Sequence, residues 1–475
     1  MATYERGQIR WSAATGARII EPDVVEQLDT RLGFPTAEIV CHLANGGCRQ
    51  DFQGGVVTRD ASAGTHPVLG DIGKRYAGLN YQAGHLGYPT GAERCTIKDN
   101  GCYQKFQGGT MYWSSGTGAQ PVWGAILKHF AWLNHERGQL GLPTSGERCD
   151  LRAKGCLQRF QGGVVYWSPT TGAHAVWGGI RTRWAGLGWE NGQLGYPIGN
   201  EGCGLRDKGC YQKFEGGIMY WSHASGAHPT WGAILTRYSA LKFERSPLGY
   251  PTSGESCRSA TTCTQTYQFG QITWNSGKGA HETYLINARI RATTAADVKY
   301  TYRSGCPVGA SGLRTIEMNY WGFDGLIHRG VLIVKTSLAK EVLAAFTDSF
   351  KARWRLQRMT NPNEWKGDDP TQMAANNTSG FNCRTVVGNP YAMSPHSYGI
   401  AIDSNTVQNP YRDRNGKWWP SNGRDYILGA GLNRKVTHFA VMTTSSPFTK
   451  ALESRGWFWG GRWNPGRDYQ HFEKR

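Results

Sequence analysis

The sequence predicts a mainly β repeat region joined to an α+β domain. Three observations predict it. Cysteines fall at Cys41, Cys95, Cys149, Cys203 and Cys257, a constant step of 54 residues. Glycine and aromatic residues are abundant, with 64 Gly, 19 Trp, 22 Tyr and 16 Phe among 475 residues, while charged residues make up 19 %. After about residue 285 the 54-residue step stops and a non-repeating strand and helix pattern takes over. This composition excludes a disordered chain, which would be poor in aromatics, and the glycines lack the three-residue period of collagen. No apolar run approaches the ~18 residues of a membrane span.

The repeat can be justified piece by piece. Each first cysteine has a partner seven residues on, at Cys48, Cys102, Cys156 and Cys210, or six on, at Cys263. A zinc knuckle usually has two to four intervening residues and a second pair nearby. The longer gap, with no His at a fixed offset, favours a small disulfide loop in each copy and hence an oxidising environment. Phe106-Gln107-Gly108-Gly109 leads into Met111-Tyr112-Trp113-Ser114, a short strand after a glycine turn. Ser115-Gly116-Thr117-Gly118 then reads as the turn of a β-hairpin. Trp123, Ile126, Phe130 and Leu133 follow at steps of three and four, one face of a short helix. Trp177, Ile180, Trp184 and Leu187 repeat that face, as do Trp231, Ile234, Tyr238 and Leu241. Most of these aromatics read as core, with a minority available to line a sugar-binding surface. A Leu-Gly pair closes each unit, at Leu32, Leu86, Leu140, Leu194 and Leu248, with a proline two residues beyond the glycine.

One such unit is too small to bury its own core, so the five units must stack or close. Gly7-Gln8-Ile9-Arg10-Trp11 matches Gly270-Gln271-Ile272-Thr273-Trp274. That match favours a pseudo-fivefold, propeller-like ring stitched by terminal strands over an elongated array. The Leu-Gly-aromatic-Pro-Thr signature at 32–36, 86–90 and 248–252 resembles the LGFP repeat, across roughly residues 7–285. Leu142 and Ile198 depart slightly from it. The resemblance implies attachment to the envelope of mycolic-acid-bearing actinobacteria.

The remaining residues, 286–475, carry most of the excess charge. They hold 26 Lys+Arg and 14 Asp+Glu, against 27 and 21 in residues 1–285, within an overall +18. Such a balance implies an anionic partner, either nucleic acid or a cell envelope. No nucleic-acid motif accompanies it. Val331–Val334 reads as a strand, and Leu338, Val342, Phe346 and Phe350 as one face of a helix over 338–354 with Ser337 as N-cap.

Two segments carry chemistry. The first runs from Ser394-Pro395-His396 through Gly399 to Ile400-Ala401-Ile402-Asp403, and the second is Asp468-Tyr469-Gln470-His471. A catalytic zinc takes three N or O ligands and leaves a position open. His396, Asp403 and His471 supply that set. Ile400-Ala401-Ile402 reads as a buried strand, and Asp468 has the right chemistry for a general base. The spacing of His396 and Asp403 alone is no metal motif. The fuller pattern, Ser-x-His-x-x-Gly-x-Ala-x-Asp followed by Asp-x-x-His, resembles the zinc D-Ala-D-Ala carboxypeptidase and L-alanoyl-D-glutamate peptidase family. Cys306-Pro307, Gly322-Phe323-Asp324-Gly325, Phe381-Asn382-Cys383-Arg384 and Trp457-Phe458-Trp459-Gly460-Gly461 extend it across about 286–475.

The resemblance implies that His396, Asp403 and His471 hold Zn2+, that Asp468 is the catalytic acid/base, and that Arg384 holds a substrate carbonyl or carboxylate. It also implies a substrate among the stem peptides of peptidoglycan. Cys306 and Cys383, outside the repeats, are expected to pair. The organisation expected is a repeat domain at 1–285 that binds an anionic cell-wall polysaccharide, and a zinc peptidase domain at 286–475, in a monomer. Residues 1–25 show no apolar block of a secretory signal. The expectation is therefore an extracellular or wall-located enzyme, either secreted with its signal removed or phage-encoded. The alternative is an envelope-binding or virion structural protein whose peptidase domain is incidental or inactive.

Overall fold

The computed structural model describes every residue except Met1, Glu5, Arg6, Gly429, Ala430, Gly431, Asn433 and Pro465. The chain forms two compact units, Met1–Thr236 with Tyr250–Ser256, and Arg237–Gly249 with Cys257–Arg475.

In the first unit the hairpin-helix repeat is present as read. One copy is an antiparallel meander of Arg94–Ile97, Gly101–Lys105, Gly109–Ser114 and Gly118–Trp123. Helix Gly124–Trp132 follows and buries Ile126 and Phe130, the face its spacing indicates. The next copy repeats this with Gly163–Ser168, Gly172–Trp177 and helix Gly178–Ala185, which buries Ile180 and Trp184. The cysteine pairs are disulfides: Cys41–Cys48, Cys95–Cys102, Cys149–Cys156, Cys203–Cys210 and Cys257–Cys263. Strand register explains the pairing, because Cys95 sits directly opposite Cys102 and Cys203 opposite Cys210.

The Leu-Gly-aromatic turn has a separate reason for each residue. Leu86, Leu140 and Leu194 are buried in the cores. Gly87 takes a left-handed φ of +66°, and a Cβ there would lie 2.6 Å from Gln107 Oε1. That oxygen is needed, since it accepts a hydrogen bond from the Tyr88 backbone N–H at 3.0 Å. The aromatic residue reaches back 44 positions. Tyr88 Oη donates to Ala44 O at 2.7 Å, and Tyr196 Oη to Arg152 O at 2.6 Å. Leu142 has no hydroxyl and is simply buried.

A buried glutamine, recurring at the same 54-residue step, joins successive copies. Gln104 Nε2 donates to Pro67 O at 2.8 Å and Gly91 O at 3.0 Å. Gln158 donates to Pro121 O at 2.7 Å and Ser145 O at 2.8 Å, and Gln212 to Ala175 O and Gly199 O. Replacing Gln158 by Leu leaves two buried carbonyls without a donor. Since each orphaned group costs ~1–3 kcal/mol, the variant is expected to lose about 2 kcal/mol or more in denaturant unfolding. An unchanged midpoint would remove the glutamine from the joint.

The expected terminal stitch is not among the described sheets. Gly7–Ser12 pairs with Ala2–Tyr4 and Gly16–Ile20. Gly270–Asn275 pairs with Thr262–Tyr267 and Gly279–Tyr284. Gly270–Asn275 is paired along its full length on both edges by its own hairpin neighbours, and so has no open edge to share.

In the second unit, Leu313–Trp321 and Ile327–Lys335 form a long antiparallel pair flanked by Arg289–Ala292. Helix Ala339–Lys351 covers it with Val342, Ala345 and Phe346. Ser337 is not its N-cap. Thr336–Leu338 is a 3-10 turn, which places Ser337 inside the turn, and the helix begins without a side-chain cap. It also stops short of the expected 354, because Arg353 takes a left-handed φ of +54°. A second sheet, in the order Ala401–Asp403, His471–Lys474, Trp457–Trp459, shares the same core through Ile402, Phe472 and Trp459. Cys306 and Cys383 are bonded as expected.

Candidate active site

The elements place the motif residues for identifiable reasons. His396 lies in a 3-10 turn, Pro395–Tyr398. Ser394 caps it by accepting from the His396 N–H, and proline at the first position fixes φ without losing a needed donor. Gly399 ends the turn at a left-handed φ of +67°, and a Cβ there would lie 2.8 Å from the Lys335 backbone nitrogen. Asp403 stands directly opposite His471 on paired antiparallel strands. On its other side Asp403 exchanges backbone hydrogen bonds with Ser379, at 2.9 and 3.0 Å. The three side chains therefore arise from one turn and two locked strands.

Their donor atoms converge. His396 Nε2 is 3.3 Å from His471 Nδ1 and 3.1 Å from Asp403 Oδ2, and His471 Nδ1 is 3.0 Å from Asp403 Oδ1. All three residues are buried. Zinc bonds of ~2.0–2.2 Å in a tetrahedron put neighbouring ligand atoms ~3.3 Å apart, and each of these contacts has about that length, the two carboxylate oxygens of Asp403 each facing one histidine. The second ring nitrogens are oriented as metal-ligand histidines require. His396 Nδ1 lies 2.6 Å from Gly380 O, so its N–H points there and leaves the Nε2 lone pair facing Asp403 and His471. His471 Nε2 faces Glu473 Oε2 at 3.5 Å. The donor set thus fits a divalent cation of the zinc type.

Electrostatics agree with a site built for positive charge. Burial opposes ionisation of Asp403, yet His396 and His471 overcome it and hold its carboxyl far below the usual range. Burial likewise opposes protonation of His471, but hydrogen bonds to Asp403 and Glu473 push it up to about 10.

Asp468 and Arg384 line the same cavity of about 130 Å³, with Met373, Val386, Tyr411 and Trp463 among its walls. Asp468 Oδ1 is buried without a hydrogen-bond partner. Burial pushes its carboxyl up to about 8, with the Asp403 charge adding to the effect against His471 and Arg384. The structure thus brings together all five expected site residues, His396, Asp403, His471, Asp468 and Arg384.

Three supporting residues lie outside the sequence reading. Asp369 Oδ2 is 2.6 Å from Arg384 Nη2. Ser397 Oγ accepts from the Arg384 N–H at 3.0 Å and donates to Arg384 O at 2.9 Å. Glu473 backs His471. Ser397 and Glu473 sit inside the motifs, so their neighbours flagged them. Asp369 lies 15 residues upstream of Arg384 with no spacing signal.

A larger cavity, about 650 Å³, lies in the first unit, lined by Arg31, Asp71, Lys74, Glu93 and Trp113 among others. Its charges already pair, Arg31 with Glu93 at 2.8 Å and Lys74 with Asp71 at 3.0 Å. The Glu-Cys-Cys groups of the repeats, such as Glu147 with Cys149 and Cys156, have their sulfurs tied in disulfides and offer no thiolate.

Comparison with known proteins separates the same two parts. The LGFP repeat family matches residues 32–84, 86–138, 140–192, 194–246 and 248–293. The D-alanyl-D-alanine carboxypeptidase family matches residues 388–474, a span that holds His396, Asp403, Asp468 and His471 but begins after Arg384. No curated protein matches the chain. Among solved structures, the extracellular domain assigned to a hybrid two component system of B. thetaiotaomicron is 10 % identical, with a TM-score of 0.12. That match covers 65 % of this chain, which spans 32 % of the B. thetaiotaomicron domain. PorZ of Porphyromonas gingivalis is 10 % identical, with a TM-score of 0.12 over 62 % of this chain and 39 % of PorZ. The AfRom2 CNH domain is 8 % identical, with a TM-score of 0.10 over 62 % of this chain and 95 % of that domain. These scores carry no argument about the fold.

Proposed function

We propose a function from one premise: the chain belongs to the LGFP-repeat family and carries a peptidase domain of the D-alanyl-D-alanine carboxypeptidase kind. It is a zinc-dependent peptidoglycan hydrolase that cuts an amide bond of the stem peptide. Residues 1–285 dock it on an actinobacterial envelope, and residues 286–475 do the chemistry. The six disulfides suit work outside the cell, as a secreted enzyme or a phage lysin.

One observation supports this reading above the others. Donor atoms of three buried residues approach one another to 3.0–3.3 Å, in a cavity also lined by Asp468, whose Oδ1 is buried and unpartnered. His396, Asp403 and His471 would hold the zinc. When bound, zinc supplies Lewis acidity toward the scissile carbonyl and the attacking water. Asp468 Oδ1, free of other partners, takes the proton of the water and returns it to the leaving amine. Arg384 steadies the substrate oxygen on which negative charge grows. Trp463, whose ring lies 5.5 Å from that of His471, walls the site against bulk water.

The test is digestion of actinobacterial peptidoglycan with and without chelator, with products identified by mass spectrometry. New stem-peptide ends that disappear with chelator and return with zinc are expected. Absence of product would leave the envelope-binding reading instead. Wall binding should also be salt-sensitive. Raising ionic strength from ~0.1 to ~1 M shortens the screening length from ~10 to ~3 Å, so co-sedimentation with walls is expected to fall steeply. Binding that ignores salt would assign the +18 no part in docking.

A further inference from the structure

The cavity collects buried polar atoms that the fold leaves unpaired. Asp468 Oδ1 and Arg384 Nε are two of them, and both residues have tasks in the reaction proposed above. Gln470 Oε1 is a third, and it has none. Gln470 is 2 % exposed and lines the cavity with Asp468 and His471. Its backbone is fixed, since Gln470 O accepts from the Ser404 N–H at 3.1 Å. Among the described residues its side-chain nitrogen has one partner, the weak acceptor Met373 Sδ at 3.2 Å. Turning the amide over would set oxygen against sulfur, two acceptors, so the oxygen is the atom left over.

An unpaired buried polar group costs stability and needs a reason. The repeat glutamines have one. Gln104, Gln158 and Gln212 also carry an unpaired oxygen, but the nitrogen of each ties two backbone carbonyls together. Gln470 gives the fold no such joint, and its amide borders space that a ligand can enter. The other acceptors there narrow what the ligand presents. Among the described carboxylate and amide oxygens of the lining, Asp403 faces both histidines, Asp369 holds Arg384, and Asp468 is the proton acceptor of the proposed reaction. Gln470 Oε1 is the acceptor that remains. A peptide laid across the site presents C=O and N–H groups in alternation. Arg384 serves a carbonyl, and an N–H needs a neutral acceptor.

We propose that Gln470 is a specificity-determining residue whose Oε1 accepts a backbone N–H of the bound peptide beside the scissile amide. The inference rests on the peptidase reading above and deepens it. A site that buries an acceptor for one substrate N–H rejects an analogue lacking that N–H, because the acceptor is then left unpaired.

The test uses the full-length zinc-loaded protein and a synthetic stem pentapeptide ending in D-Ala-D-Ala. A panel of analogues replaces each backbone amide, other than the one cut, by an ester, which removes one N–H and keeps the length of the chain. Cleavage at the scissile amide is followed by mass spectrometry as kcat/KM. Wild type is expected to cut one member of the panel at least about tenfold more slowly than the parent. Gln470→Met is expected to cut the parent about tenfold more slowly than wild type does, and to cut that member as fast as the parent. Gln470→Glu, which keeps an acceptor oxygen, is expected to retain the preference. Without substrate, Gln470→Met is expected to keep its zinc and to unfold at an equal or higher denaturant concentration, since an apolar group replaces an orphaned oxygen. Wild type that cuts every ester as fast as the parent would overturn the proposal, as would a preference that survives in Gln470→Met. Lost stability or failed folding of Gln470→Met would give the residue a structural task and overturn it too. No cleavage of the parent peptide by wild type would instead sink the peptidase reading itself.

Discussion

Replacing Asp403 by alanine is expected to abolish both zinc retention and amide hydrolysis. Asp403 touches both histidines, at 3.0 and 3.1 Å, and is the one anionic member of the set. Losing an outer-sphere partner of a metal ligand already costs ~10–100-fold in affinity, so losing a ligand costs more than about 100-fold. The Lewis acidity that leaves with the metal is worth several kcal/mol, or about a 1,000-fold drop in rate. Metal analysis after dialysis and peptidoglycan digestion measure the two effects separately. An Asp403→Ala protein that keeps one zinc per chain, or that still digests walls, would assign the metal to other residues.

Asp468→Asn is expected to lose ~10²–10⁴-fold in rate while retaining zinc, because it removes the proton acceptor but no ligand. The same change separates chemistry from stability. A buried carboxyl raised from about 4 to about 8 favours folding fully below pH ~4, and that contribution is lost as pH rises toward 8. In chelated protein near pH 8, the neutral, isosteric Asn is therefore expected to unfold at an equal or higher denaturant concentration than Asp. Activity near the wild-type level would exclude Asp468 as the base. A large loss of stability would show that its carboxylate supports the fold.

Much of this was legible in the chain. The repeat, its helix face and its disulfides follow from local spacing, since Cys95 and Cys102 meet through one hairpin turn. The Ser-Pro-His turn and the buried Ala401–Asp403 strand are also local. Other features were not legible. Ser337 looked like a cap, but the chain enters the helix through a 3-10 turn, and what precedes a helix depends on how the strand delivers it. The matching ends of the repeat series suggested a shared sheet, but Gly270–Asn275 is paired on both edges within its own meander and has no backbone groups left to share.

Gln158 and Asp369 show where the division falls. Gln158 recurs at the 54-residue step, which marks it but does not say what it binds, and Asp369 carries no spacing signal at all. Gln158 matters because two carbonyls, 37 and 13 residues back, converge on its amide. Asp369 matters because Arg384 arrives beside it from another segment. Local order along the chain sets the periodic unit, the turn and strand that carry His396 and Asp403, and the residue types that could meet a metal. The tertiary structure decided which buried polar groups find partners. That outcome is set by groups brought together from distant segments, because burial penalises any that arrive unpaired.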